Sequence, residues 1–152
     1  MIISSIIIIL TISYCWYSIH KKGSLPKSLL ETFYILNPLI FALFCNIIGI
    51  LLIPSLLNVT EEKYQFIPFI ACISFIFCNN YPLYKEKVIK EEYYTFEILA
   101  FVLFIVYICM FYPFWIIPYI IVLIAAYFNK KESIVFLLEI AAILLLAIIF
   151  KL

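Results

Sequence analysis

The chain has 152 residues, 68% of them hydrophobic and 12% charged, with a formal net charge of +1. Soluble domains are about half apolar and a quarter charged, so this composition excludes an ordinary soluble fold and points to a lipid bilayer as the solvent. All ten basic residues are lysine and all nine acidic residues are glutamate, a bias that resembles translation of an AT-rich genome. The lack of arginine removes the side chain that grips phosphate in a bidentate fork, and nucleic acid is not an expected partner.

A helix crossing about 30 Å of hydrocarbon at 1.5 Å per residue needs roughly 20 residues. On that ruler the sequence predicts an all-α polytopic membrane protein, one domain over 1–152, with six transmembrane helices at about 2–19, 32–57, 66–84, 95–111, 114–128 and 133–150. The first span opens MIISSIIIIL and closes on His20-Lys21-Lys22. With no lysine before it and no small-residue cleavage site after it, it reads as a retained span and not as a signal peptide. Ser28 and Glu31 fit the capping box S-x-x-E that starts the second span, which carries Asn37-Pro38 five residues in.

The apolar run Phe66 to Phe77 covers only about 18 Å, too little to cross. The third helix is therefore predicted to continue through Asn79 and Asn80 to about Tyr84, with the asparagines inside the membrane roughly 6–8 Å from its cytoplasmic face. Pro82 removes a backbone donor and its ring opposes the carbonyl of Cys78, so one role for an asparagine amide is local repair of that freed carbonyl. The run from Phe96 to Phe128 is too long for one crossing and is divided at Tyr112-Pro113. Pro38, Pro82 and Pro113 are the expected helix breaks.

Lysines collect in cytoplasmic loops. With the N-terminus outside, the cytoplasmic connections hold Lys21, Lys22, Lys27, Lys85, Lys87, Lys90, Lys130 and Lys131, and the outer side holds Lys63 and Lys151. That asymmetry predicts both termini on the non-cytoplasmic side. Trp16, Tyr17, Tyr64, Tyr84, Tyr112 and Trp115 fall near the proposed span ends, where aromatic rings favour the interface.

Measured along their helices, Asn37, Asn79, Asn80 and Glu139 all lie roughly 7–10 Å below the cytoplasmic surface. Glu97 sits at the cytoplasmic lip of span four, so a polar layer in one leaflet is predicted. Glu139 is its most informative member, because a carboxylate at that depth must face other helices or water, or be protonated. Two roles stand open. One is neutral packing glue bonded to an asparagine, worth about 0.6–2 kcal/mol; the other is a proton- or cation-accepting group in a pocket open to the cytoplasm.

Catalysis has no visible machinery. His20 is the single histidine and belongs to a basic interfacial edge, and no Ser/His or Cys/His arrangement falls on plausible neighbouring spans. An intramembrane hydrolase resembling the alkaline ceramidases would need several histidines. Cys15, Cys45, Cys72, Cys78 and Cys109 lie in apolar runs without a C-x-x-C pair, and read as small packing residues with no metal site and no disulfide framework. No cofactor is implied.

Three stretches carry a resemblance. PKSLLETFYIL resembles a Ser-x-Ser-(Asp/Glu)-Thr-Tyr-Tyr pattern, with Ser28, Glu31, Thr32 and Tyr34 matching, Leu30 in place of the second serine and Phe33 in place of the first tyrosine. LLNVTEEKYQFIPFIAC matches at Gln65, Phe66, Phe69, Ala71 and Cys72, and LLEIAAILL at Glu139, Ala141 and Ala142. The pattern is that of an uncharacterised family of small multi-span membrane proteins of Bacteroides-type bacteria and their crAss-like phages, and the resemblance spans most of the chain. One departure is the stretch CNNYP, where the family has a Gly/Ala-Pro turn; another is Tyr93-Tyr94, where it has a His-Tyr pair. An acid/base or metal role for that histidine has no counterpart here. The resemblance implies a source and a helical multi-span fold, and no activity.

The expected function is that of a small, non-catalytic integral membrane protein with a structural, accessory or envelope-modifying role. The alternative is a small oligomeric transporter or channel that uses the polar layer around Glu139, with broken helices beside it. Expected partners are the lipid bilayer and copies of itself or other membrane proteins. The expected location is the bacterial inner membrane, or a host membrane if the gene is carried by a phage.

Overall fold

The computed structural model describes residues 2–84, 90–128 and 133–149, with the side chains of 78–84, 90–94 and 125–128 left out of that description. Every regular element among them is helical: α1 (Ile2–Lys22), α2 (Glu31–Ile35), α3 (Pro38–Val59), α4 (Phe66–Tyr84), α5 (Lys90–Phe111), α6 (Ile116–Phe128) and α7 (Ile134–Ile149). Short 3-10 turns at Glu62–Tyr64 and Pro113–Trp115 lead into α4 and α6.

The helix ends follow from local chemistry. Gly23 closes α1 in the left-handed region (φ 73°), and its amide donates to Ile19 O at 2.8 Å, a cap that a Cβ would strain. The second expected span is not one helix. Asn37 is extended (ψ 127°), as the residue before a proline tends to be, and its Oδ1 accepts from the Leu39 amide at 2.9 Å. Pro38 then fills the first helical position of α3, where a missing donor costs nothing. The stretch 32–57 is thus divided into the five-residue α2 and the 22-residue α3. Pro54 lies inside α3 without ending it.

The length argument for the third span meets a helix of 19 residues that passes through Asn79 and Asn80 and ends at Tyr84. Pro82 therefore sits in the last turn of α4 and does not break it. Tyr112 leaves the helical region (φ −138°, ψ 57°) and Pro113 opens the following 3-10 turn, so the long apolar run divides there.

Five helices close a ring: α1 packs on α3, α3 on α4, α4 on α5, α5 on α7, and α7 back on α1, while α6 packs on α7. The inward stripes have helical period, as in Phe41, Cys45, Ile48, Leu52 and Leu56 of α3 or Ala100, Phe104, Tyr107 and Ile108 of α5. α3 and α4 approach most tightly at Gly49, where a Cβ would lie 2.6 Å from Ile76 Cγ1. Small residues allow such approach between apolar helices.

The bundle is apolar both inside and out, with a few polar groups buried among the core side chains. Buried positions include Ser4, Thr11, Ser18, Thr32, Thr60, Ser74, Glu97 and Glu139, whereas Ile9, Ile12, Leu43, Ile50, Phe66, Ile98 and Ile121 face outward. α1 and α3 are each long and apolar enough to cross a membrane.

Gly49→Leu is expected to force α3 from α4 and destabilise the fold by about 1–3 kcal/mol, the usual scale of overpacking. Thermal unfolding of the purified protein in detergent checks this, with the outward-facing Ile50→Leu as the unaffected control.

Candidate functional site

The site is built where the first loop re-enters the bundle. After Gly23 the chain does not run across the surface but turns inward, and Leu29 and Leu30 are buried. Thr32 Oγ1 donates to Leu29 O and accepts from Tyr14 Oη. Tyr14 lies eight residues before the end of α1, so Thr32 sits about 12 Å along that helix from Lys22. Phe44 of α3 stacks on the same tyrosine with ring centroids 3.9 Å apart.

A loop taken into an apolar bundle carries amides that no water can satisfy. Here two glutamates satisfy them. Leu29 N donates to Glu139 Oε2 of α7 at 2.6 Å, and Leu30 N donates to Glu97 Oε1 of α5 at 3.0 Å. The two carboxyls also lie beside each other, close enough to interact directly. Each glutamate is 5% exposed.

The rest of the loop is tied in the same way. Lys27 O accepts from Phe136 N at 3.0 Å and so satisfies one of the first amides of α7, while Ser133 Oγ donates to Leu25 O at 3.1 Å. Half of the predicted capping box forms, since Ser28 Oγ accepts from Glu31 N at 3.1 Å. The other half is displaced by one residue: the Glu31 carboxylate takes the Lys27 amide in place of the Ser28 amide, and binds Lys22 Nζ at 2.7 Å. Partial burial works against the charged form of Glu31, but the Lys22 ammonium, the Lys27 amide and the charges of both lysines outweigh it and hold this carboxyl below the usual range.

Of the residues predicted for a polar layer, the structure brings together Glu97 and Glu139. α5 begins at Lys90, five residues before the expected span, so Glu97 lies about 10 Å along the helix from its start. Asn37 lies elsewhere, exposed at the rim as the cap of α3, because the loop and α2 occupy the depth that a continuous helix from Thr32 would have given it. Asn79 and Asn80 lie on the helical backbone of α4, and their side chains are outside the described residues.

Beside the carboxyl pair, α5, α6 and α7 leave a cleft of about 470 Å³. Its walls include Phe101, Ile105, Tyr119 and Leu138, and its polar end is formed by Glu97, Glu139, Lys27 and Ser28. At the other end of the bundle a second buried polar group escaped the sequence reading. Thr60 Oγ1 donates to Leu56 O at 2.6 Å and accepts from Tyr107 Oη at 2.9 Å, and Gln65 Nε2 donates to Leu57 O at 2.9 Å, closing the end of α3. Comparison with family models, curated proteins and solved structures returned no match for the chain.

Two outcomes follow from the clasp. Glu139→Leu orphans the buried Leu29 amide and is expected to destabilise the protein by about 1–3 kcal/mol, whereas Glu139→Gln keeps an oxygen for that amide and an N–H for Glu97 and is expected to melt close to wild type. The second outcome concerns pH. Because the folded-state pKa of Glu31 is depressed, the stability contributed by its bonds to Lys22 and Lys27 is present above the ordinary glutamate range and is lost as pH falls through the lower folded value. Acid unfolding of Glu31→Gln should show a shallower loss than wild type across that window.

Proposed function

We propose that the chain is a six-span membrane protein, crossing with α1, α3, α4, α5, α6 and α7, with both termini on the non-cytoplasmic side. The observation that carries this reading is the apolar exterior of the bundle: large aliphatic and aromatic side chains face outward from most helices, while several hydroxyls and two carboxyls are buried. An outer surface of that kind suits hydrocarbon and not water. The lysine asymmetry orients it. Its place is a bacterial inner membrane, or a host membrane if the gene belongs to a phage, in keeping with the resemblance carried by Ser28, Glu31, Gln65 and Glu139.

The activity best supported is non-catalytic: a structural, accessory or envelope-modifying role exercised through lipid and neighbouring membrane proteins. Glu97 and Glu139 are engaged in holding the first loop, which is the work of a structural element. A transporter is the second reading, favoured by one observation, that the same two carboxyls border an open cleft. The two readings separate at Glu139→Gln, which abolishes translocation while leaving a structural role intact.

Topology is tested with reporter fusions after Lys22, Glu61, Lys87 and Lys131. The expected sides are cytoplasmic, outer, cytoplasmic and cytoplasmic in that order. A cytoplasmic signal at Glu61 would overturn the six-span arrangement.

A further inference from the structure

The cleft between α5, α6 and α7 combines features that ordinary packing gaps lack. Its wall is apolar, formed by Ile98, Phe101, Val102 and Ile105 of α5 with Leu138 and Val135 of α7. Its outer margin is open sideways, because Ile98, Val102 and Val135 are 59%, 48% and 51% exposed. Access is therefore from the hydrocarbon flank of the bundle. Its lining also carries both signs of charge, with Glu97 and Glu139 together with Lys27 and Ser28 of the first loop.

We propose that this cleft binds an ethanolamine-type phospholipid, one hydrocarbon chain lying along α5 and the zwitterionic head seated between the carboxyl pair and the first loop. Each glutamate oxygen can accept more than one hydrogen bond, and each carboxyl takes one loop amide, which leaves acceptor capacity for a primary ammonium. Both glutamates are otherwise enclosed, and the cleft that they line is where that capacity is reached. Ser28 adds a hydroxyl to the lining, and Lys27, whose charge also acts on Glu31, keeps this side of the cleft positive beside the phosphodiester. A choline head fails this test of chemistry, since its trimethylated nitrogen has no N–H to give. The cleft volume of about 470 Å³ is within the range of pockets that bury a small ligand or one lipid chain.

The assignment of this end to the cytoplasmic leaflet rests on the topology proposed above. Lipid binding itself is measured on purified protein, so its failure and a failure of the reporter experiment are separate results. The full chain in detergent is mixed with equimolar dioleoyl phosphatidylethanolamine, its mono- and dimethylated forms, phosphatidylcholine and phosphatidylglycerol, and retained lipid is read by native mass spectrometry. Phosphatidylethanolamine should be retained about tenfold over phosphatidylcholine, the factor carried by one charge-assisted hydrogen bond, with stepwise loss on N-methylation. Val102→Trp, which fills the cleft from its exposed wall, should remove the bound lipid while melting like wild type, and Ile98→Trp blocks the same cleft should the first variant not fold. Glu139→Gln should bring ethanolamine retention down to that of choline.

Equal retention of the two heads by wild type, or retention of phosphatidylethanolamine by the blocked variants, would overturn the proposal. So would stabilisation by sodium, potassium or ammonium ions alone equal to that by the lipid, which would make the pair a site for a bare cation. A dimer dissociated by Val102→Trp without any headgroup preference would instead place a second copy of the chain in the cleft.

Discussion

The bonds from the Leu29 and Leu30 amides to Glu139 and Glu97 are the interaction on which one end of the bundle rests. A backbone amide in an apolar interior without an acceptor costs about 1–3 kcal/mol, and two adjacent ones would keep the loop at the surface. Charged acceptors reverse the balance, since hydrogen bonds to a carboxylate are about twice as strong as neutral ones. The glutamates are in turn tolerable there only because of the loop, which supplies the donors that a buried carboxylate requires. Each half of the arrangement removes the other's penalty, and the pair ties α5 and α7 to a segment that is distant in sequence from both.

The closeness of the two carboxyls places a constraint on the clasp, because two like charges side by side inside an apolar bundle repel strongly. Its remaining open side is the cleft between α5, α6 and α7, where the apolar wall meets both signs of charge. Structural glue and ligand recognition therefore converge on the same two side chains.

The other end of the bundle is held by neutral chemistry. Thr60 and Gln65 donate to the last carbonyls of α3, where the chain turns toward α4, and Tyr107 donates to the Thr60 hydroxyl. Between the two polar ends the helices meet through small residues and aromatic edges, as at Gly49 against Ile76 and Phe75 against Phe101 and Phe104. Close packing and buried hydrogen bonds join these apolar helices along their length.

Much of this architecture is legible from the residues alone. Composition separates the chain from soluble domains, the ruler of 1.5 Å per residue carries α4 past Phe77 to Tyr84, and the chemistry of Tyr112-Pro113 divides α5 from α6, because each of these depends only on local covalent geometry and on the solvent. Glu139 also stands out unaided, since an acid in an apolar run needs a partner. Its partner does not. The acceptors are visible as glutamates, but the donors are main-chain amides of two leucines, which no survey of polar side chains detects. Asn37 illustrates the same limit: its depth follows from where α3 starts, and that start is set after a loop whose inward path is decided by groups about 70 and 110 residues away. Sequence determined which segments must be helical and apolar; only the tertiary structure decided which end of which helix the loop would fill, because that choice is made by hydrogen bonds between segments that are not neighbours in the chain.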